Sequence, residues 1–186
     1  MIGAIIGDIA GSRFEWDNHR SKDFELFTPK CLATDDSIMS LAIAEALMRA
    51  TGCAALADDS GLMVDALGGR PGVYSARYCG VHGDDEANNQ LLLKELENVP
   101  EPRTARYAAA VALCRPGHEP LVTYGTCEGE ILREYRGEGG FGYDPLFFSD
   151  DLQMTLAEAA PEAKNAISHR ARAVEKLLKL LEAEDA

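Results

Sequence analysis

The chain has 186 residues, with 18 basic against 31 acidic side chains, so its formal net charge at pH 7 is −13. This length suits one ordinary domain or two small ones, and 46% hydrophobic with 26% charged residues is typical of a globular protein. The acidic charge disfavours nucleic acid or an anionic membrane as the main partner. A phosphorylated small molecule is still compatible, because a bound divalent cation reverses the local sign of charge.

The sequence shows no run of 18 apolar residues and no signal peptide, which predicts a soluble cytoplasmic protein. Its five cysteines are widely spaced, with no pattern of zinc ligands. We therefore expect reduced thiols.

The patterning along the chain predicts strands interleaved with helices, and therefore an α/β domain. Isoleucines between Met1 and Ile9 have helical spacing, but Gly3 and Gly7 leave a short buried strand as the alternative. The further predicted elements are a capped helix over 34–50, a buried strand over 53–57 that ends in an Asp-Asp-Ser-Gly turn, a helix over 84–96, a strand over 107–114, two strands within 121–133 around Gly125 and Gly129, and a helix over 169–181 with a core stripe of Val174, Leu177, Leu178 and Leu181.

The segment Asp58-Asp59-Ser60-Gly61 places two carboxylates at the predicted end of a buried strand, the sheet edge at which open α/β folds bind ligands. Neighbouring strand residues point to opposite faces, so we expect only one carboxylate to enter a cleft. That carboxylate would hold a hard cation such as Mg²⁺ or accept a proton from water. The alternative is an ordinary acidic turn.

Two later segments also carry candidate site residues. In GEGGFGYDP, glycines allow close approach of the backbone to a ligand, and Phe141 or Tyr143 can stack on a flat ring; burial in the core is the alternative for either aromatic. Ser168 is a candidate N-cap that would place His169 and Arg170 in the first helical turn, where basic residues oppose the helix dipole unless an anion or polar ligand compensates. A solvated basic patch is the alternative there.

Taken together, ALADDSGLMVDALGGRPGVYSARY, GGFGYDPLF and KNAISHRARA resemble, in this order and spacing, the inosine/xanthosine triphosphate pyrophosphatase family. The resemblance runs from about Thr51 to Leu181. It implies an elongated, mixed-sheet α/β fold with a cleft between two lobes, a homodimer, and Mg²⁺-dependent cleavage of (d)ITP and XTP to the monophosphate and pyrophosphate.

The resemblance also implies roles for individual residues. Asp59 looks like the metal-holding general base and Ser60 like a substrate contact. The loop that holds the base matches Phe141, Gly142, Tyr143 and Asp144, and the groups that read it match Lys164, His169 and Arg170. Such donors would favour a 6-keto purine over adenine, because the keto oxygen accepts where the adenine amine donates.

The first 50 residues depart from that family's pattern. No [ST]GNxxK phosphate loop is recognisable, and the uncharged Ile43 falls where the family has a lysine. MIGAIIGDIAGSRFEWDN and TDDSIMSLAIAEAL instead resemble the start of the ADP-ribosylglycohydrolases, in which Thr34, Asp35 and Asp36 would match half of a binuclear Mg²⁺ site; helix capping is the favoured reading of these three residues. We therefore predict a fragment over 1–50 joined to a pyrophosphatase-like domain over 51–186, with a helical segment replacing the first strand and phosphate loop.

Three functions are compatible with this sequence. The favoured one is a Mg²⁺-dependent nucleoside triphosphate pyrophosphatase slowed by the missing phosphate loop. The others are a hydrolase that removes ADP-ribose from a modified side chain, and a non-catalytic, purine-binding fusion product.

Overall fold

The structure is a computed structural model that describes residues 35–184, and side chains from residue 38 onward. Its helices and longer strands are α1 (Asp35–Thr51), β1 (Ala55–Val64), β2 (Pro71–Gly72), α2 (Asp85–Glu95), β3 (Thr104–Cys114), β4 (Leu121–Ile131), β5 (Phe147–Ser149), β6 (Met154–Thr155), α3 (Pro161–Ile167) and α4 (His169–Glu184). Two single 3₁₀ turns span Asp65–Leu67 and Ser75–Arg77. Within residues 35–184, no helix is both long and apolar enough to cross a membrane.

The six strands form one sheet in the order β2-β1-β3-β4-β5-β6. The pairs β1–β2, β4–β5 and β5–β6 are antiparallel, with Leu62 opposite Gly72 and Gly129 opposite Ser149. Helices with a sheet confirm the predicted α/β class. The predicted replacement of the first strand and phosphate loop by a helical segment concerns residues before α1, which lie outside the described residues.

The chain divides into two compact units, and the described part of the first comprises residues 35–59 and 110–123. Its described core is small, with Ala44, Ala112 and Cys114 buried and Met48 packed against them. The buried Ser40 hydroxyl donates to the Ala110 carbonyl at 3.3 Å, which satisfies a polar group that burial would otherwise leave unpaired. The predicted helix over 34–50 is confirmed as α1.

The described part of the second unit comprises residues 60–109 and 124–184 and contains the larger described core. Its fully buried side chains include Leu62, Leu92, Leu96, Leu146 and Phe147. Helix α2 begins where the sequence predicts, because the Asp84 carboxylate accepts a hydrogen bond from the Ala87 N–H at 3.0 Å and so caps the first turn.

Two predicted strand boundaries are wrong, and both errors come from glycines. β1 does not end at Asp58-Asp59-Ser60-Gly61 but continues to Val64, and a Cβ on Gly61 would stand 2.3 Å from the Gly72 carbonyl oxygen of β2. β4 is a single strand: a Cβ on Gly125 would lie 2.0 Å from the His169 carbonyl oxygen, and one on Gly129 would lie 2.1 Å from the Phe148 carbonyl oxygen. These glycines admit neighbouring backbone rather than forming turns.

The last helix begins at His169 as predicted, with the Ser168 hydroxyl accepting from the Ala171 N–H at 3.1 Å. Its predicted core stripe is wrong at Val174 and Leu178, which are 39% and 54% exposed. The buried positions are His169, Ala173 and Leu177, spaced four apart. The buried stripe differs from the predicted one because the backbone of α4 at His169 and Ala173 packs directly against the backbone of β4 at Gly125.

Tyr143 makes the second unit sensitive to alkaline pH. Its side chain is 3% exposed and its hydroxyl donates to the Ser75 carbonyl at 2.8 Å. Burial raises the pKa of this phenol above its ordinary value of 10.0, and the charges of Tyr78, Cys79 and Asp85 add to the rise. The folded state therefore retains a proton that the unfolded chain releases first.

We expect the stabilisation from Tyr143 to be complete below pH 10 and to decline at higher pH, by about 1.4 kcal/mol per pH unit. Urea unfolding between pH 8 and pH 11 measures this, and Tyr143→Phe should make the decline less steep; part of it should persist, because burial also raises the pKa of Tyr107. The control is Tyr124→Phe, at an exposed tyrosine, which should leave the slope unchanged. Equal slopes in both variants would contradict the assignment.

Candidate active site

The segment from Gly137 to Pro145, between β4 and β5, presents one aromatic ring outward and buries the residues that follow it. Phe141 is 66% exposed, whereas Tyr143 and Asp144 are 3% and 2% exposed. Of the two aromatics that the sequence offers for stacking on a flat ring, Tyr143 is committed to the core and to Ser75, so Phe141 is the one available to a ligand.

The Asp144 carboxylate organises this segment. Its Oδ2 atom accepts from the Phe141 N–H at 2.8 Å and from the Lys164 ammonium at 2.5 Å. Gly140 has φ +77°, and a Cβ there would be only 2.2 Å from the same oxygen. The close turn therefore requires glycine at this position.

Lys164, on α3, contacts both the carboxylate and the aromatic ring. Its Nζ atom lies 4.5 Å from the centroid of the Phe141 ring, within the range of a cation–π contact. Its side chain is 18% exposed. The structure thus brings Lys164 into contact with Phe141 and Asp144, although the lysine lies 20 residues after Asp144 in the sequence.

The two basic residues at the start of α4 differ in their surroundings. His169 is 8% exposed and its ring stacks on Tyr107 at 5.1 Å between centroids, with 13° between the planes. Arg170 is exposed. Of the pair, the arginine is therefore the more accessible to a ligand.

Asp59 and Ser60 lie in the middle of β1, in extended backbone rather than in a turn. Asp59 and Ser60 are half-buried, and Asp58 is exposed. Because side chains alternate along a strand, Asp58 and Asp59 point to opposite faces, as the sequence predicts for a single inward carboxylate. Asp59 belongs to the first unit, whereas Phe141, Lys164 and Arg170 belong to the second.

Among the residues that the structure describes, no group of three or more His, Cys, Asp or Glu side chains is arranged to hold a metal ion. The donors of Asp59 and Ser60 are nevertheless oxygen atoms, which is the ligand chemistry of Mg²⁺. Mg²⁺ is commonly held by one or two carboxylates together with substrate phosphates and waters, so the donor set fits that ion.

Two contacts to the aromatic segment escape the sequence analysis. The Asp85 Oδ2 atom accepts from the Gly142 N–H at 2.8 Å, and the Asn89 amide donates to the Gly142 carbonyl at 2.9 Å. The sequence does carry a signal, since Asn88 and Asn89 lie in the middle of a helix that their residue type does not favour. Which backbone they would meet is set only by the fold.

Comparison with known proteins identifies the family. The Ham1 family matches residues 11–180 of this chain. The chain belongs to the Ham1 family. The Staphylococcus aureus Ham1 protein shares the fold with a TM-score of 0.77 and 40% identity, over 88% of this chain and 83% of that one. A HAM1 protein from Coxiella burnetii gives 0.70 and 42%, over 80% of this chain and 75% of that one.

Curated relatives in the family carry a functional name. A dITP/XTP pyrophosphatase from Geobacter sulfurreducens is 59% identical over 125 residues, which are 67% of this chain and 63% of that protein. The Bacillus subtilis dITP/XTP pyrophosphatase is 53% identical over 141 residues, 75% of this chain and 71% of that protein. The chain thus spans slightly less than two thirds of the Geobacter protein's length.

These comparisons confirm the resemblance of the larger part of the chain. They do not bear out the resemblance of residues 1–50 to ADP-ribosylglycohydrolases, because the Ham1 match itself begins at residue 11. The residues Thr34, Asp35 and Asp36 carry no described side chain. The division at residue 50, and the individual roles assigned to the site residues, stay predictions.

Replacing Lys164 by methionine would leave the Asp144 carboxylate buried without its cation. We expect Lys164→Met to lower the unfolding free energy by about 3 kcal/mol, because an unpaired buried charge is destabilising. Urea unfolding at pH 7 measures the loss.

The double variant Lys164→Met/Asp144→Asn should lose less than the sum of the two single variants, because the neutral amide removes the stranded charge. The control is Lys179→Met, at an exposed lysine paired with Glu175, which should change stability much less. A Lys164→Met loss no larger than that of the control would show that the ion pair contributes nothing.

Proposed function

We propose that this chain is a nucleoside triphosphate pyrophosphatase that hydrolyses aberrant purine nucleotides such as dITP, ITP and XTP to the monophosphate and pyrophosphate. The observation that carries the proposal is the exposed Phe141 ring beside the Lys164–Asp144 pair, in a member of a family whose curated relatives are named dITP/XTP pyrophosphatases.

The base would stack on Phe141, because an exposed aromatic ring is a suitable platform for a purine. The Lys164 ammonium has three N–H donors, and Asp144 accepts one of them. The other two N–H donors of Lys164 would favour a 6-keto oxygen over the amine of adenine. The N–H donors of Arg170 and of the largely buried His169 ring would add to this preference. Gly142, Tyr143 and Asp144 would support the ring through the backbone of the same segment.

The phosphates would be handled by Asp59 and Ser60. The Asp59 carboxylate would hold Mg²⁺ and, as general base, accept a proton from the attacking water, while Ser60 contacts the substrate. When bound, Mg²⁺ supplies positive charge that neutralises the triphosphate. The oxygen of that water would bond to phosphorus as the P–O bond between the α- and β-phosphates breaks, which yields the monophosphate and pyrophosphate.

We further propose that turnover is slow in this chain, since Ile43 offers no charge where the family pattern has a lysine. Ile43 lies half-buried on α1.

The homodimer that the resemblance implies, and a cytoplasmic location, belong to the same proposal. Four cysteines of the described part are free thiols, as is usual in a reducing compartment.

The test compares pyrophosphate release from ITP, XTP and ATP with Mg²⁺ present. We expect ITP and XTP to be cleaved faster than ATP, and Asp59→Asn to reduce the rate by roughly 100-fold or more, the scale of a lost general base. The matched control is Asp58→Asn, which changes the neighbouring carboxylate on the opposite face of β1 and should keep most of the activity.

Three outcomes would contradict the proposal. Equal losses in the two variants would remove the special role of Asp59. No ITP cleavage by the unmodified chain above the Asp59→Asn level would favour a non-catalytic, purine-binding protein. Release of ADP-ribose from a modified protein would favour the other hydrolase.

A further inference from the structure

Two polar side chains of α2 hold the peptide that follows the exposed Phe141. Asp85 and Asn89 are four residues apart and therefore lie on the same face of this helix. The Asp85 carboxylate accepts from the Gly142 N–H at 2.8 Å, and the Asn89 amide donates to the Gly142 carbonyl at 2.9 Å. Both polar groups of one residue are thus bound from a single helix.

The conformation of Gly142 is what presents both of its polar groups to α2. Its φ is +60°, in the left-handed region that side chains disfavour, although a Cβ there would meet no atom within 4 Å. Glycine is needed for the backbone angle and not for space. With Asp144 bonded to the Phe141 N–H, side chains hold the backbone on both sides of the Phe141 Cα atom.

The buried Asn89 is costly for the fold if it serves packing alone. It is 3% exposed, and among the described residues its Oδ1 atom has no hydrogen-bond partner. An apolar side chain of similar size would avoid that desolvation cost. The donor to Gly142 is the contact that the amide provides and an apolar side chain would lose.

We propose that Asp85 and Asn89 are positioning residues that hold Phe141 ready to stack on the purine base. The inference rests on the proposed function and deepens it. The Phe141 ring is 66% exposed, so little packing orients it apart from the Lys164 ammonium at 4.5 Å. Its orientation comes from the backbone, and a backbone ordered beforehand spares the substrate the entropy cost of ordering it.

The test uses variants that separate the hydrogen bonds from general damage to α2. Asn89→Leu removes the donor, and Asp85→Ala removes the acceptor. Asp85→Asn keeps an acceptor oxygen while losing the same charge, so it should rescue the loss seen in Asp85→Ala. Asn88→Leu is the matched control, since Asn88 is equally buried in the same helix but bonds to the Cys79 N–H.

We expect Asn89→Leu and Asp85→Ala to raise KM for ITP about tenfold, while kcat changes by less than about twofold, because only the ordering of the binding segment is lost. Amide hydrogen exchange in the nucleotide-free protein should accelerate over residues 139–145 in these two variants. It should stay unchanged there in Asn88→Leu and Asp85→Asn. Asp85 is exposed, so its variants should fold and still test the positioning role if Asn89→Leu impairs folding.

The exchange measurement separates failure of this inference from failure of the proposed function. Unchanged exchange over 139–145, or faster exchange without a rise in KM, would overturn the positioning role while leaving ITP hydrolysis intact. Faster exchange in a chain that neither binds nor cleaves ITP would overturn the proposed function and the link to the purine, and would leave α2 as a support of the segment only.

Discussion

One buried carboxylate sets the arrangement on which the candidate site depends. Asp144 is 2% exposed, and a charge so far from water requires partners. It finds them in the backbone of Phe141 and in the side chain of Lys164, and so joins the aromatic segment to α3. Gly140 is compatible with this turn because it has no side chain to displace the carboxylate. The buried ion pair between Asp144 and Lys164 thereby fixes the backbone that carries the exposed Phe141 ring.

The same segment is tied to the sheet by a short series of hydrogen bonds. The Tyr143 hydroxyl donates to the Ser75 carbonyl, while the Ser75 hydroxyl accepts from the Leu62 N–H at 2.9 Å and donates to the Gly72 carbonyl at 2.5 Å. Strand β1 therefore supports the aromatic segment through a single 3₁₀ turn. Contacts of this kind fix the candidate site residues to strands and helices of the fold, on which precise positioning is easiest to maintain.

The sequence alone predicts much of this, and its failures have physical causes. Caps and periodicity locate α1, α2 and the start of α4, because those signals are local. The strand boundaries at Gly61 and Gly125 are missed because glycine signals a turn and a close backbone approach equally well, and only the neighbouring strand or helix decides between them. The motifs single out Phe141 and Lys164, but the contacts from Asp85 and Asn89 depend on how α2 packs, which no local pattern contains.

Gly125 illustrates how a missing side chain determines geometry elsewhere. A methyl group there would overlap the His169 carbonyl oxygen and lie 2.5 Å from the Ala173 nitrogen, both of them backbone atoms that have little freedom to yield. Any larger residue must therefore push the beginning of α4 outward, and Arg170 would travel with it. A substitution at this strand position is thus coupled to the placement of a side chain at the start of α4, because the two backbones are in direct contact.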